Sequence, residues 1–258
     1  MTKATLRTLH KVIYRCVSPL FPYLRTARAL QQYPKFVQDW QEYQQLPQAE
    51  QLHLLDAYPQ IGDATASTPY DPHYFYQEVW AFKAIAAAQA SLHLDVGSRI
   101  SFVKLISALC DTVFVDIRPL IADVDRLFSQ SASILQMPYA DNSIRSLSCL
   151  HVTEHIGLGR YGDPLSPTGS RDAAQELARV LAPGGNLYFS TPIGRPRVEF
   201  NAHRIHSISQ VVRHFAQLEL VRLSVVDDAG QLNHDVANLY QYDNARYCCG
   251  LFHFRKLS

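Results

Sequence analysis

The feature that most constrains the fold is a short apolar run that stops at a glycine, within residues 92–99. Leu92–Val96 predicts a strand, Gly97 the turn that ends it, and the apolar residues that follow recur at helical spacing. A second apolar run, Thr112–Asp116, is closed by an acid. Two strands joined by one helix form a β-α-β unit with parallel strands. The chain is therefore predicted to contain an open parallel sheet.

Polar residues and a glycine follow the two predicted strands, at Asp95, Gly97 and Asp116. Ligands of open parallel sheets bind at the carboxyl ends of the strands, and an acid ending the second strand can accept both hydroxyls of a ribose. Arg99 and Ser101 stand where a dinucleotide motif has further glycines, so pyrophosphate is not expected. A nucleoside without phosphates, such as S-adenosylmethionine, needs only one close backbone approach. A plain strand-to-helix turn is the alternative.

Composition limits the class of protein. The 258 residues are 47% hydrophobic, enough for one large α/β domain and an appendage. A net charge of +1 gives no global electrostatic reason to expect nucleic acid as a partner. The five cysteines are odd in number and lack C-x-x-C spacing, which is typical of free thiols in a cytoplasmic protein. We expect neither disulfides nor a zinc site built from them.

The N-terminal part has a different pattern. Residues 4–18 carry basic residues on one face and apolar residues on another, which predicts a basic amphipathic helix. This helix either lies on an anionic membrane surface, as a peripheral contact, or packs on its own protein. Arg15, Pro19 and Pro22 interrupt the apolar run, so no transmembrane anchor is expected. We predict a helical extension over residues 1–57 and an α/β domain over residues 58–258.

The rest of the chain predicts further alternation of strands and helices. The expected elements are a short helix at Pro119 to Phe128, a third strand near 133–135, a fourth at 147–150, a helix at 170–182, a fifth strand at 186–190, a helix near 207–216, and strands near 219–226 and 246–254. The resulting fold class is α/β, with a seven-stranded, mostly parallel sheet. The last strand is expected to run antiparallel between its neighbours.

Four motifs in serial order resemble those of class I S-adenosylmethionine-dependent methyltransferases. They are Asp95–Ser98, Asp116, Met137–Ser143 and Leu181–Gly185. This resemblance implies a Rossmann-like class I methyltransferase fold with S-adenosyl-L-methionine as its cofactor. The cofactor-binding residues it implies are Asp95, Gly97, Ser98, Asp116 and, through its backbone, Met137.

A more local resemblance is to the family known as domain of unknown function 268. It rests on Tyr74–Gln77, Asp95–Arg99, Asp116–Leu120, Glu154–Pro164 and Asn201–Ile205, and it covers about residues 58–215. The family resemblance implies a methyltransferase-like fold without naming a substrate.

Methyl transfer from a sulfonium is an in-line displacement, and a hydroxyl acceptor must also lose a proton. His155 is the first candidate for the base and His151 the second, with Glu154 between them after the fourth strand. A structural role for either histidine is the alternative. The polar residues expected to hold a small, sugar-like or carboxylated acceptor are Arg160, Asp163, Asn201, His203 and Arg204. A solvated loop is the alternative for these five residues.

Two other functions remain open. The spacing His151-x-x-Glu154-His155 matches an inverted zinc-protease motif, which needs a long helix to bring both histidines to one metal. Because Gly157 and Gly159 follow closely, we expect no metal there.

The third function is a methyltransferase fold that binds a ligand or a partner without turnover. Ser133 and Arg145 favour it, because both stand where the methyltransferase pattern has acids. The sequence does not identify the methyl acceptor or the oligomeric state.

Overall fold

The computed structural model of the chain describes residues 31–60 and 63–257. These residues divide into two compact units, with the boundary between Pro69 and Tyr70. The first unit contains α1 (Tyr33–Gln44) and a 3-10 turn at Leu54–Asp56. The predicted amphipathic helix at 4–18, and with it the membrane contact, lies outside the described residues. Within the described ranges, no helix is long and apolar enough to cross a membrane.

The second unit is an α/β domain. Its elements are α2 (Pro72–Ala88), β1 (Leu92–Val96), α3 (Ile100–Ile106), β2 (Asp111–Asp116), β3 (Leu127–Ser131), β4 (Ile144–Leu150), a 3-10 turn (Thr153–His155), α4 (Gly169–Val180), β5 (Leu181–Ile193), β6 (Arg197–Glu199), β7 (His203–Ile205), α5 (Ile208–His214), β8 (Glu219–Val226), β9 (Leu232–Asn233) and β10 (Cys248–Arg255). Eight strands form one sheet in the order β3-β2-β1-β4-β5-β10-β8-β9.

The parallel half of the sheet confirms the predicted β-α-β unit. β1 pairs in parallel with β2 on one side and β4 on the other, so Asp95 lies opposite both Phe114 and Ser148. The strand order reverses at β1, since the chain first runs outward to β2 and β3 and then returns to β4. A crevice between β1 and β4 is where an open sheet of this kind binds its ligand.

The last strand is placed as predicted. β10 runs antiparallel to both β5 and β8 and lies between them. Neighbouring side chains of this strand enter different cores: Cys248 joins the larger hydrophobic core, whereas Cys249 packs with Val226 and Leu251. The sheet has seven main strands, the number expected, and one two-residue addition, β9, at its edge.

Helices cover both faces of the sheet. α2 and α3 pack on one face through Ala81, Ile85, Phe102, Val103 and Ile106. On the other face, α4 and α5 contribute Ala173, Leu177, Ile208 and Val211 to the larger core. Because α2 begins at Pro72 and the Asp71 side chain accepts the backbone N–H of His73 at 2.9 Å, the first turn of this helix is fixed in place.

The region between β2 and β4 differs from the sequence prediction. No helix forms over Pro119 to Phe128, and the third strand is Leu127–Ser131 rather than residues near 133–135. The reason is that β3 is an edge strand whose residues are mostly exposed, so it lacks the apolar run that marks a buried strand. The apolar Ile134 is buried in a turn closed by a bridge between Ser133 and Gln136.

Candidate functional site

A cavity of about 940 Å³ lies at the carboxyl ends of β1, β2 and β4. Its wall includes Gly97 after β1, Asp116 at the end of β2 and Leu150 at the end of β4. A smaller cavity of about 90 Å³ lies next to it and shares Gly97 and Asp116 with it. The site is therefore in the crevice that the sheet topology indicates.

Gly97 and Asp116 face the same space. Gly97 has a φ of +68°, a conformation that L side chains rarely adopt. A Cβ at this position would lie 3.1 Å from Val152 Cγ1 and 3.9 Å from Asp116 Oδ2. The other carboxylate oxygen of Asp116 accepts the backbone N–H of Arg118 at 2.7 Å. Glycine thus avoids a close contact with Val152 and leaves the backbone bare beside the Asp116 carboxylate.

Asp95 lies beneath the cavity wall, fully buried. One carboxylate oxygen accepts the backbone N–H of Ser98 at 3.0 Å, and the other accepts the hydroxyl of Ser148. Burial raises the pKa of Asp95 to about 6. Ser98 lines the cavity, and its hydroxyl oxygen accepts the backbone N–H of Leu150 at 3.0 Å. Both side chains therefore fix the turn around Gly97 through bonds within the protein.

Met137 is placed away from the cavity, in a buried turn. Its backbone N–H donates to Glu176 Oε1 at 2.7 Å. Its backbone oxygen accepts from the N–H of Tyr139 at 2.8 Å and from Arg179 Nη2 at 3.2 Å. The structure thus brings Gly97, Ser98 and Asp116 together at the cavity, but not Met137.

Glu154 and His151 form a buried pair on the wall of the cavity. Glu154 is fully buried, and its Oε1 lies 2.8 Å from His151 Nδ1. Burial alone would raise the pKa of Glu154, but the charge and hydrogen bond of His151 lower it. Burial alone would lower the pKa of His151, but the neighbouring Cys249 and Glu154 hold it well above its usual range. The pair is therefore a carboxylate with an imidazolium.

His155 is held differently. Its Nδ1 lies 2.6 Å from the backbone oxygen of Ala202 and can only donate to it. The basic lone pair is therefore on Nε2, which lies 3.8 Å from Glu154 Oε1. Burial lowers the pKa of His155, so that its ring is neutral at neutral pH. A neutral imidazole on a cavity wall can accept a proton from a substrate.

Two of the five residues predicted to hold an acceptor line the cavity, Arg160 and His203. The guanidinium of Arg160 lies 5.2 Å from the ring centre of Tyr161, which also lines the cavity. The ring of His203 lies 6.3 Å from that of His155, and burial lowers its pKa. These side chains place polar groups beside His155.

The other three have different surroundings. Asp163 accepts the backbone N–H of Gly157 at 2.6 Å and that of Tyr161 at 3.2 Å. Arg204 is buried and donates to the backbone oxygens of Ile156 and Ser166. Asn201 is exposed between β6 and β7. Asp163 and Arg204 thus stabilise the loop that carries Arg160 through hydrogen bonds to its backbone. None of Asp163, Asn201 and Arg204 lines the cavity.

The lining residues that the sequence did not predict as site residues include Tyr74, Arg99, Arg118 and Tyr247. The guanidinium of Arg99 lies 4.6 Å from the ring centre of Tyr74, and that of Arg118 lies 4.7 Å from that of Tyr161. Tyr74, Arg99 and Arg118 do fall within motifs of the family resemblance, which was the available signal. Tyr247, next to β10, had none.

The segment with zinc-protease spacing does not form the helix that such a site needs. Thr153–His155 is a single 3-10 turn, and His151 precedes it with a φ of +55°. His155 Nδ1 binds the Ala202 oxygen instead of facing His151. The two histidines therefore do not lie on one face of a helix, as that motif requires.

Structural comparison defines the class of this fold. The N-methyltransferase NodS from Bradyrhizobium japonicum WM9, determined in complex with S-adenosyl-L-homocysteine, is 16% identical, with a TM-score of 0.51 over 73% of this chain and 89% of that chain. A candidate sarcosine dimethylglycine methyltransferase from Galdieria sulphuraria is 15% identical, with a TM-score of 0.52 over 71% of this chain and 86% of that chain. The chain thus has the Rossmann-like class I methyltransferase fold.

The family comparison gives a more local result. Residues 128–244 match the family described as Caenorhabditis protein of unknown function, DUF268. This match confirms the family resemblance and contains two of the motifs that indicated it, at residues 154–164 and 201–205. The motifs before residue 128 lie outside the match. None of the curated proteins compared with the chain matches it.

Proposed function

We propose that this protein is an S-adenosylmethionine-dependent methyltransferase that transfers a methyl group to an oxygen of a small carboxylated or saccharide-like acceptor. One observation carries the proposal: Gly97 and Asp116, suited to a nucleoside, share one cavity with His155, suited to remove a proton. The fold supports it, and so does the S-adenosylhomocysteine bound to the similar NodS structure.

The cofactor end of the proposed site consists of Gly97 and Asp116. The carboxylate of Asp116 would accept the two ribose hydroxyls, and the backbone of Gly97, which lines the same cavity, would lie beside the amino-acid end of the cofactor. When bound, S-adenosylmethionine supplies an activated methyl group on a sulfonium. Asp95 and Ser98 act indirectly, because their hydrogen bonds hold the turn that carries Gly97.

The acceptor end consists of His155 and the cationic residues around it. His155 Nε2 would take the proton from the acceptor hydroxyl during methyl transfer from the bound cofactor. Three arginines line the cavity, Arg99, Arg118 and Arg160, and their charge favours an acceptor that carries a carboxylate. The role of the buried Glu154 is to hold His151 beside this end.

A transfer assay tests the proposal. Labelled S-adenosylmethionine is offered with sugars, small carboxylic acids and lipid-linked saccharides, and methylated product is measured for the wild type and His155→Ala. We expect product with at least one carboxylated or saccharide acceptor, and a turnover lowered about 10²-fold or more in the variant. Equal turnover in the two proteins would remove His155 from the mechanism.

The competing function is binding without turnover, which Ser133 favours. It stands after the third strand where the methyltransferase pattern has an acid, and its hydroxyl accepts the backbone N–H of Leu135 at 3.2 Å. A protein of this kind would be stabilised by S-adenosylhomocysteine but would transfer no methyl group to any acceptor in the panel. The same assay, combined with thermal unfolding, separates the two functions.

A further inference from the structure

Three potential metal ligands converge beside the cavity. His73 comes from the first turn of α2, His151 from the residue after β4, and Cys249 from β10. Their ligand atoms all lie within 4.8 Å of one another. His151 and Cys249 are buried and His73 is half-buried. Three separate elements of the fold thus bring an imidazole pair and a thiol to one point.

The Nε2 atom of His151, next to the Cys249 thiol, is a second indication of a missing ligand. It is buried and has no hydrogen-bond partner among the described residues. Its other ring nitrogen is held by Glu154 at 2.8 Å. Metal-binding histidines almost always give their second nitrogen to a carboxylate or carbonyl in this way, which fixes the ring and makes the free nitrogen a better ligand.

The chemistry of the cluster suits a divalent metal ion. His73 adds a second imidazole to the cluster, and imidazole nitrogen is a common protein ligand for divalent metal ions. On binding, a divalent cation would displace the proton of His151 and that of the Cys249 thiol; together with the resulting thiolate and the Glu154 carboxylate, it leaves no net charge in this buried region. Two imidazoles with one thiolate are typical ligands for zinc.

We propose that His73, His151 and Cys249 bind a Zn²⁺ ion at the wall of the cavity. Ligand atoms in a tetrahedral zinc site lie about 3.5 Å apart, so side-chain movements of about 1 Å bring the three into range. Three protein ligands leave a fourth position for water or a substrate oxygen, the arrangement of catalytic rather than structural zinc. This proposal differs from the sequence expectation that the cysteines build no zinc site, and it does not depend on methyl transfer.

The test is the metal content and the Zn²⁺ affinity of the full chain. We expect one Zn²⁺ per chain after dialysis against zinc, and Co²⁺ substitution should give a sulfur-to-cobalt charge-transfer band. Cys249→Ser should abolish the band and weaken Zn²⁺ binding by at least about 100-fold, since loss of a ligand exceeds the effect of losing an outer-shell partner. His73→Ala should weaken binding similarly.

Cys248→Ser is the matched control, because its side chain enters the other core from the next position on β10. It should keep both the band and the zinc affinity. Thermal unfolding of the metal-free proteins shows whether each variant is folded. A folded wild type that takes up no Zn²⁺, or a Cys249→Ser variant with unchanged affinity, would overturn the site.

Discussion

Gly97→Ala tests the cofactor end of the site. At its φ of +68°, alanine in place of glycine costs about 1–2 kcal/mol of backbone strain. For a chain of this size, that loss lowers the melting temperature by about 2–8 °C. The new methyl group would also lie 3.1 Å from Val152 Cγ1 and 3.9 Å from Asp116 Oδ2, beside the carboxylate proposed to bind the ribose.

We therefore expect Gly97→Ala to weaken S-adenosylhomocysteine binding by about 10-fold or more, equivalent to about 1.4 kcal/mol, in a calorimetric titration. Gly184→Ala is the matched control, since Gly184 has a φ of +71° and a Cβ there would meet nothing within 4 Å. It should lose similar stability and keep full affinity. If both variants bind S-adenosylhomocysteine as tightly as the wild type, Gly97 does not line the cofactor site.

Asp116→Ala should weaken S-adenosylhomocysteine binding by about 2–3 kcal/mol in calorimetry, because a charged acceptor of two hydroxyls is lost. Asp123→Ala is the control, since Asp123 is an exposed carboxylate, and it should leave the affinity unchanged under the same conditions. In metal-free protein, Glu154→Gln should lower the free energy of unfolding by about 3 kcal/mol, since it leaves a buried imidazole without its charge partner. The pKa of Glu154 is lowered by folding, so its carboxylate stabilises the folded state fully above pH 4.5, and the raised pKa of His151 means that its imidazolium does so fully below pH 6.5. In denaturant titrations, the free energy of unfolding of Glu154→Gln should therefore differ most from that of the wild type between these two pH values. A difference independent of pH would contradict the charged pair with His151.

The elements predicted best are those whose signal is local. The strand Leu92–Val96 and the turn at Gly97 depend on neighbouring residues, and the structure has both. The edge strand Leu127–Ser131 was missed because an exposed strand carries little apolar pattern. The final strand was placed correctly, although most of its residues are buried and few alternate.

The site was harder to predict than the sheet. A polar residue gives no sequence sign of whether it faces a cavity or its own backbone, and Arg204 and Asp163 do the latter. His73 and Cys249 come together only through tertiary structure, since α2 and β10 lie at opposite ends of the domain sequence. Such groupings depend on the packing of distant elements, which no local pattern records.

The most direct test of the central claim is a calorimetric titration of the full chain with S-adenosylhomocysteine, with NAD as the comparison ligand. The proposal predicts one binding site per chain for S-adenosylhomocysteine, weakened in Asp116→Ala, and no heat of binding with NAD. A titration with no heat from S-adenosylhomocysteine, or one in which Asp116→Ala binds as the wild type does, would contradict the assignment of this cavity to a methyl-donor cofactor.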